Sequence, residues 1–197
     1  MSSLLLLFLS SLLFLQGTHG LCVPRPHHFK AKQTVQPPAS VAPPPPVNAF
    51  VVALCKNSSY PDECVSAVRP YLPENGEVGA KEMLIMHVNA SRSRLSQANA
   101  KADEVLRDTT ISPEVRTCVE TCKENYDDSS SNLDAALDAM AKSDGATLNV
   151  MLSAAMTDVE TCDDGFDEFP GLISPLSRHD LELQHLMSNC LYFGTIL

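Results

Sequence analysis

Between residues 84 and 105, apolar or small side chains return at steps of four and three: Leu84, Val88, Ser91, Leu95, Ala98, Ala102 and Val105. That period draws one stripe along a helix and does not fit the two-residue alternation of a half-buried strand. The helix is expected from about residue 77 to residue 107, without internal proline, and Asp108-Thr109-Thr110 ends it. Ser112-Pro113-Glu114 then supplies an N-cap and a first-turn proline. The second stripe runs Val119, Cys122, Tyr126, Ser129, Leu133, Leu137 and Met140 until Ser143-Asp144-Gly145 breaks it. A third helix, residues 146 to about 166, carries Leu148, Leu152, Ala155, Val159, Cys162 and Phe166. After a loop with two prolines and Gly171, a fourth carries Leu176, Leu183, Leu186, Cys190 and Phe193. Four amphipathic helices on short connections predict an all-α, antiparallel up-down four-helix bundle. Residues 49 to 72 read as a smaller hairpin of two helical pieces around Asn57-Ser58-Ser59-Tyr60-Pro61.

What precedes the bundle has a different composition. Residues 4 to 15 are apolar except for Ser10 and Ser11, too short a run to span a bilayer, and prolines follow soon after. Residues 1–20 are expected to be a signal peptide cleaved after Gly20, and residues 21–47 a proline-rich linker. The folded domain is expected over residues 48–197. No later stretch suits a membrane anchor, so the protein is expected to be secreted, with no membrane partner. All 24 acids lie after residue 47, against 11 of the 14 lysines and arginines, so the domain carries about −13. That charge excludes a nucleic-acid binder held by phosphates and suits a basic protein partner. With no tryptophan, a sugar-stacking platform is not expected either.

Seven cysteines in a secreted chain predict disulfides with one thiol left over. Cys55 and Cys64 flank the hairpin turn, where a bridge staples a unit too small to hold itself. Cys122 and Cys162 lie on core stripes that antiparallel packing brings together, and Cys118, one turn from Cys122, competes for Cys162. No histidine pair stands at ligand spacing, so no metal is expected. Asn57-Ser58-Ser59 and Asn89-Ala90-Ser91 are glycosylation sequons.

Catalytic chemistry finds no footing. Asp127-Asp128, Asp163-Asp164 and Asp167-Glu168 are adjacent acids, and adjacent helix residues point apart, whereas paired catalytic carboxylates face each other across a pocket. His87, His179 and His185 lack a nucleophile signature and are expected at the surface, with Tyr126 at the core edge. The inner stripes show no charged cluster. Neither a catalytic residue nor a cofactor is expected.

Four segments carry a resemblance: Cys55-Lys56-Asn57-Ser58-Ser59-Tyr60-Pro61-Asp62-Glu63-Cys64; Cys122-Lys123-Glu124-Asn125-Tyr126-Asp127-Asp128; Leu152-Ser153-Ala154-Ala155-Met156-Thr157 with Thr161-Cys162-Asp163-Asp164-Gly165-Phe166; and Ser188-Asn189-Cys190-Leu191. In this order and spacing the chain resembles the plant invertase and pectin methylesterase inhibitor family over residues 48 to 197. The resemblance implies a four-helix bundle with an N-terminal hairpin and the bridges Cys55–Cys64 and Cys122–Cys162. Cys118 and Cys22 depart from the pattern, while some relatives carry an unpaired cysteine where Cys190 stands. Invertase inhibitors of the family present Pro-Lys-Phe near the start of the third helix; here the place reads Gly145-Ala146-Thr147. The resemblance therefore implies a secreted inhibitor that covers the cleft of pectin methylesterase in a 1:1 complex, with invertase as the alternative target. The same pieces resemble pro-regions fused to some pectin methylesterases, but no catalytic domain follows here, so a free inhibitor is expected. The resemblance also implies contact through helices two and three. Polar positions opposite their core stripes are the candidates: Asp127, Ser130 and Asp134, then Ser153, Thr157 and Thr161. A wall-associated structural protein working through its proline linker is the reading from another class, and a secreted hydrolase the remaining one.

Overall fold

A computed structural model describes residues 49–73 and 78–197. The expected signal peptide, the linker with Cys22, and the expected helix start at residue 77 lie outside the described residues. Among the described residues six α-helices and one 3-10 turn follow one another: α1 (Ala49–Cys55), α2 (Pro61–Val68), the 3-10 turn Arg69–Tyr71, α3 (Ala80–Arg107), α4 (Pro113–Ala141), α5 (Gly145–Asp167) and α6 (Ser177–Thr195). No strand occurs among the described residues.

Three of the four long helices start where local chemistry satisfies an N–H group at the helix head. The Gly79 N–H donates to Glu82 Oε2 (3.0 Å) at the head of α3. Ser112 Oγ accepts from the Val115 N–H (3.3 Å), with Pro113 in the first turn of α4. Asp144 accepts from the Thr147 N–H (3.0 Å) and its hydroxyl (2.6 Å) at α5. Before that, Ser143 takes φ 57°, the left-handed turn that stops α4.

The four long helices form a ring in chain order: α3 packs on α4, α4 on α5, α5 on α6, and α6 closes back on α3. The closest seam is α4–α5. There Ser129 Oγ donates to the Ala155 carbonyl (2.8 Å), and the Cys122–Cys162 bridge holds Cα atoms 4.6 Å apart. That seam corrects the end of the α4 stripe. Ala136 and Ala139 are buried, while Leu137 and Met140 are only partly so. The small residues sit where α5 comes closest, and the long ones are pushed to the edge. At the α5–α6 seam a Cβ on Gly194 would fall 2.7 Å from Leu152 Cδ1 and 2.9 Å from Asn149 Oδ1, so any side chain there would have to push the ends of both aside.

The core between the helices is filled by Met83, Leu84, Leu133, Leu148, Leu152, Phe166, Leu183, Met187 and Phe193. Outside the ring, α1 and α2 form the hairpin, stapled by Cys55–Cys64 with Cα atoms 5.7 Å apart. α2 packs on α3 and α6. Asn189, fully buried on α6, clamps the turn: its side chain accepts from the Tyr60 N–H (3.3 Å) and donates to the Tyr60 carbonyl (3.1 Å).

Candidate functional site

The core stripes of α4 and α5 face inward, so the opposite sides of both helices turn to solvent; the two helices together hold 12 of the 24 acids. The six candidate contact residues divide into two sets there. On α5, Ser153, Thr157 and Thr161 are exposed and recur every four residues, one above another on the outward side. Thr161 Oγ1 donates back to the Thr157 carbonyl (2.8 Å), a bond within the helix that leaves the stripe open. On α4, Asp127 and Asp134 are exposed and Ser130 is partly buried, and the two acids lean toward α3. Asp127 accepts from Asn99 Nδ2 (3.2 Å), and Asp134 forms an ion pair with Arg92. The neighbouring pair Lys123–Asp103 joins the same two helices. Thus the α5 residues are free to meet a partner, whereas the two α4 acids already tie α4 to α3.

Between the two sets lies the rim of the α4–α5 seam. Asn132 Nδ2 donates to Asp158 Oδ2 (2.8 Å) across it. Burial raises the Asp158 pKa; the Asn132 bond works against this and the nearby Asp128 charge adds to it. The helix periodicity did not single out this rim, because its residues belong to neither core stripe nor outer centre.

Beneath the face, three helices meet at the inter-helix bridge. Tyr126 is fully buried, not at the core edge, and its hydroxyl donates to Asp180 Oδ1 (2.5 Å) while lying 3.4 Å from Cys162 Sγ. Asp180 Oδ2 stands 3.5 Å from the same sulfur. A bridged sulfur has no proton to give, so any hydrogen in that contact comes from the carboxyl. Burial pushes the Asp180 pKa up to about 7; the Tyr126 bond opposes the shift and the charge of Asp163 adds to it. Asp163 is itself raised, first by burial and then by Asp167 and Asp164. The stripe read for the fourth helix did not include this fully buried carboxyl. Its signal was present: Leu176, Asp180, Leu183, Met187 and Cys190 step by four and three, with Asp180 in a core position.

His87 is a second correction. It is fully buried rather than at the surface, its ring 5.1 Å from that of Phe193 and Nδ1 donating to the Met83 carbonyl (2.8 Å). Burial pulls its pKa down to about 4. His179 and His185 are partly buried; His185 stacks on Tyr60 at 3.7 Å and lies 3.6 Å from Glu63. Cys118 and Cys190 are free and buried. Cys118 Sγ donates to the Gly165 carbonyl (3.4 Å) on α5, beside the bridge rather than in it.

A groove of about 570 Å³ opens on the other side of the ring, between the hairpin, α3 and α6. Arg94 inside it already pairs with Glu182 (2.8 Å), which also takes Arg178 (3.2 Å). Among the described residues no group of three or more His, Cys, Asp or Glu is placed to hold a metal ion, and no helix is long and apolar enough to cross a membrane.

Comparison with known proteins places this architecture. Residues 49–193 match the family model described as plant invertase/pectin methylesterase inhibitor. The chain is 31% identical to the Arabidopsis thaliana protein named probable pectinesterase/pectinesterase inhibitor 61, over 70% of this chain and 24% of that protein. It therefore spans about a quarter of that relative's length. It is 27% identical to a pectinesterase inhibitor from Actinidia deliciosa, over 76% of this chain and 80% of that one. Its fold superposes on a crystal structure of a mutant form of a pectin methylesterase inhibitor from Arabidopsis with a TM-score of 0.62 at 18% identity, covering 76% of this chain and 98% of that chain.

Proposed function

The chain belongs to the plant invertase/pectin methylesterase inhibitor family, and from that premise we propose that it is a secreted inhibitor, not an enzyme, whose target is pectin methylesterase. The inhibitor is proposed to lie across the enzyme's substrate cleft in a 1:1 complex, in the cell wall, without a cofactor and without chemistry of its own. The observation that carries this reading is the rigid polar face of α4 and α5. One bridge and a buried serine bond lock the two helices together. The Ser153, Thr157 and Thr161 stripe faces outward with no partner from another helix. A face fixed before contact loses little conformational freedom on docking.

Pectin methylesterase is preferred over invertase because Gly145-Ala146-Thr147 stands where invertase inhibitors of the family carry Pro-Lys-Phe. Residues 21–47 are proposed to act as a spacer outside the contact, ahead of an inhibitor domain over residues 48–197.

Parallel assays of a pectin methylesterase and an acid invertase, each with the purified protein, test the assignment. Loss of methylesterase activity alone is expected. Loss of invertase activity alone would move the target within the family. No effect on either enzyme would return the linker-based structural role to the front.

A further inference from the structure

We propose that Asn57 is the N-glycosylated residue of this chain and that Asn89, in the second sequon, is not modified. The two motifs are alike in sequence and opposite in structure. Asn57-Ser58-Ser59 occupies the turn between α1 and α2. Ser58 points inward, 7% exposed, with its hydroxyl donating to the Cys55 carbonyl (2.9 Å) and its N–H to the same oxygen (3.0 Å). Asn57 and Ser59, on either side, are both exposed. The acceptor carboxamide and the hydroxyl that completes the motif are thus both open to solvent, on either side of a buried Ser58, in a loop closed by Cys55–Cys64.

Asn89 lies within the 28-residue helix α3. Residues two apart on a helix do not face each other. Ser91 accordingly points into the core, fully buried, with Oγ 3.8 Å from Cys190 Sγ on α6. The Asn89 carbonyl also accepts from the Tyr71 hydroxyl (3.3 Å). Once α3 has formed, this motif cannot adopt the turn that its twin holds permanently.

The reaction is transfer of an oligosaccharide from a lipid diphosphate donor by the transferase of the secretory pathway. Asn57 Nδ2 bonds to C1 of the first sugar, the C1–O bond to the diphosphate breaks, the lipid diphosphate leaves, and one Nδ2 proton passes to a base of the transferase. The inference rests on the secretion reading. The hairpin packs on α3 and α6, so a glycan at its turn stands away from the α4–α5 face.

The test expresses the full chain in a eukaryotic secreting host, alongside a version whose first 20 residues are replaced by a host secretion signal. The second version enters the pathway whatever residues 1–20 do, so a failure of secretion is distinguished from a failure of modification. Intact mass is read before and after amidase removal of N-glycans, for the parent and for N57Q, S59A and N89Q. One removable increment is expected in the parent and in N89Q, and none in N57Q or S59A. An increment that survives in N57Q, or a secreted parent at its unmodified mass, would overturn the proposal.

Discussion

Two buried titratable side chains oppose each other across pH. Asp180 has a folded pKa of about 7 against 3.8 when unfolded. Its proton is held more tightly in the fold, so its contribution is complete below about pH 4 and is lost as pH rises toward 7. His87 has a folded pKa of about 4 against 6.5. Its neutral form is favoured, and its contribution is lost as pH falls from 6.5 toward 4. Each slope is about 1.4 kcal/mol per pH unit, and over that window the signs cancel. Asp180→Asn removes one side of the balance. Relative to the parent, this variant is expected to lose stability steadily from pH 6.5 down to 4, and to be the more stable protein at pH 8, where the parent buries a charge. His87→Gln keeps a donor for the Met83 carbonyl and should show the reverse trend. Urea unfolding of parent and variants across this range measures both, and a variant that tracks its parent at every pH would remove that group from the balance.

At the scale of elements, Gly194 limits how closely α5 and α6 approach. Gly194→Ala forces Leu152 and Asn149 aside and is expected to destabilise the protein by about 1–3 kcal/mol, read from the urea midpoint at unchanged slope. The contact face makes a different demand. Thr157→Lys alters an exposed position and should leave stability within about 0.5 kcal/mol, yet weaken inhibition of the methylesterase at least tenfold, about 1.4 kcal/mol of binding. Asp134→Asn breaks the Arg92 pair instead, so its effect should fall on stability and only weakly on inhibition. Equal losses of inhibition in both variants would mean that α4 contributes to the contact as fully as α5. The helices themselves were legible because caps and core stripes are local signals: Ser112-Pro113 starts a helix where the sequence placed it, while Asp144, read only as part of a break, caps the next. Which way a polar residue leans was not legible. Asp127 and Thr157 read alike as outward positions, and only the ring order, with α3 beside α4, sends one toward Asn99 and leaves the other free. The burial of Asp180 and His87 was not legible because burial of a polar residue depends on partners from other helices, here Tyr126 of α4 and Phe193 of α6.

For the whole molecule, net charge and docking are coupled. If the groove of the proposed target carries carboxylates, the domain's charge of about −13 is set against them. Acids desolvated together bind protons more tightly, so proton uptake on docking should tighten the complex as pH falls from 8 to 5. A dissociation constant that is level across this range, or that tightens toward pH 8, would point to a basic target surface instead. Removal of residues 21–47 is expected to leave the constant within tenfold, because a proline spacer without apolar periodicity adds no packed surface. The most direct measurement is titration of a pectin methylesterase, held well above the dissociation constant, with the purified protein. Activity is expected to fall linearly and to reach its floor at one molar equivalent; activity unchanged at large molar excess would contradict the assignment.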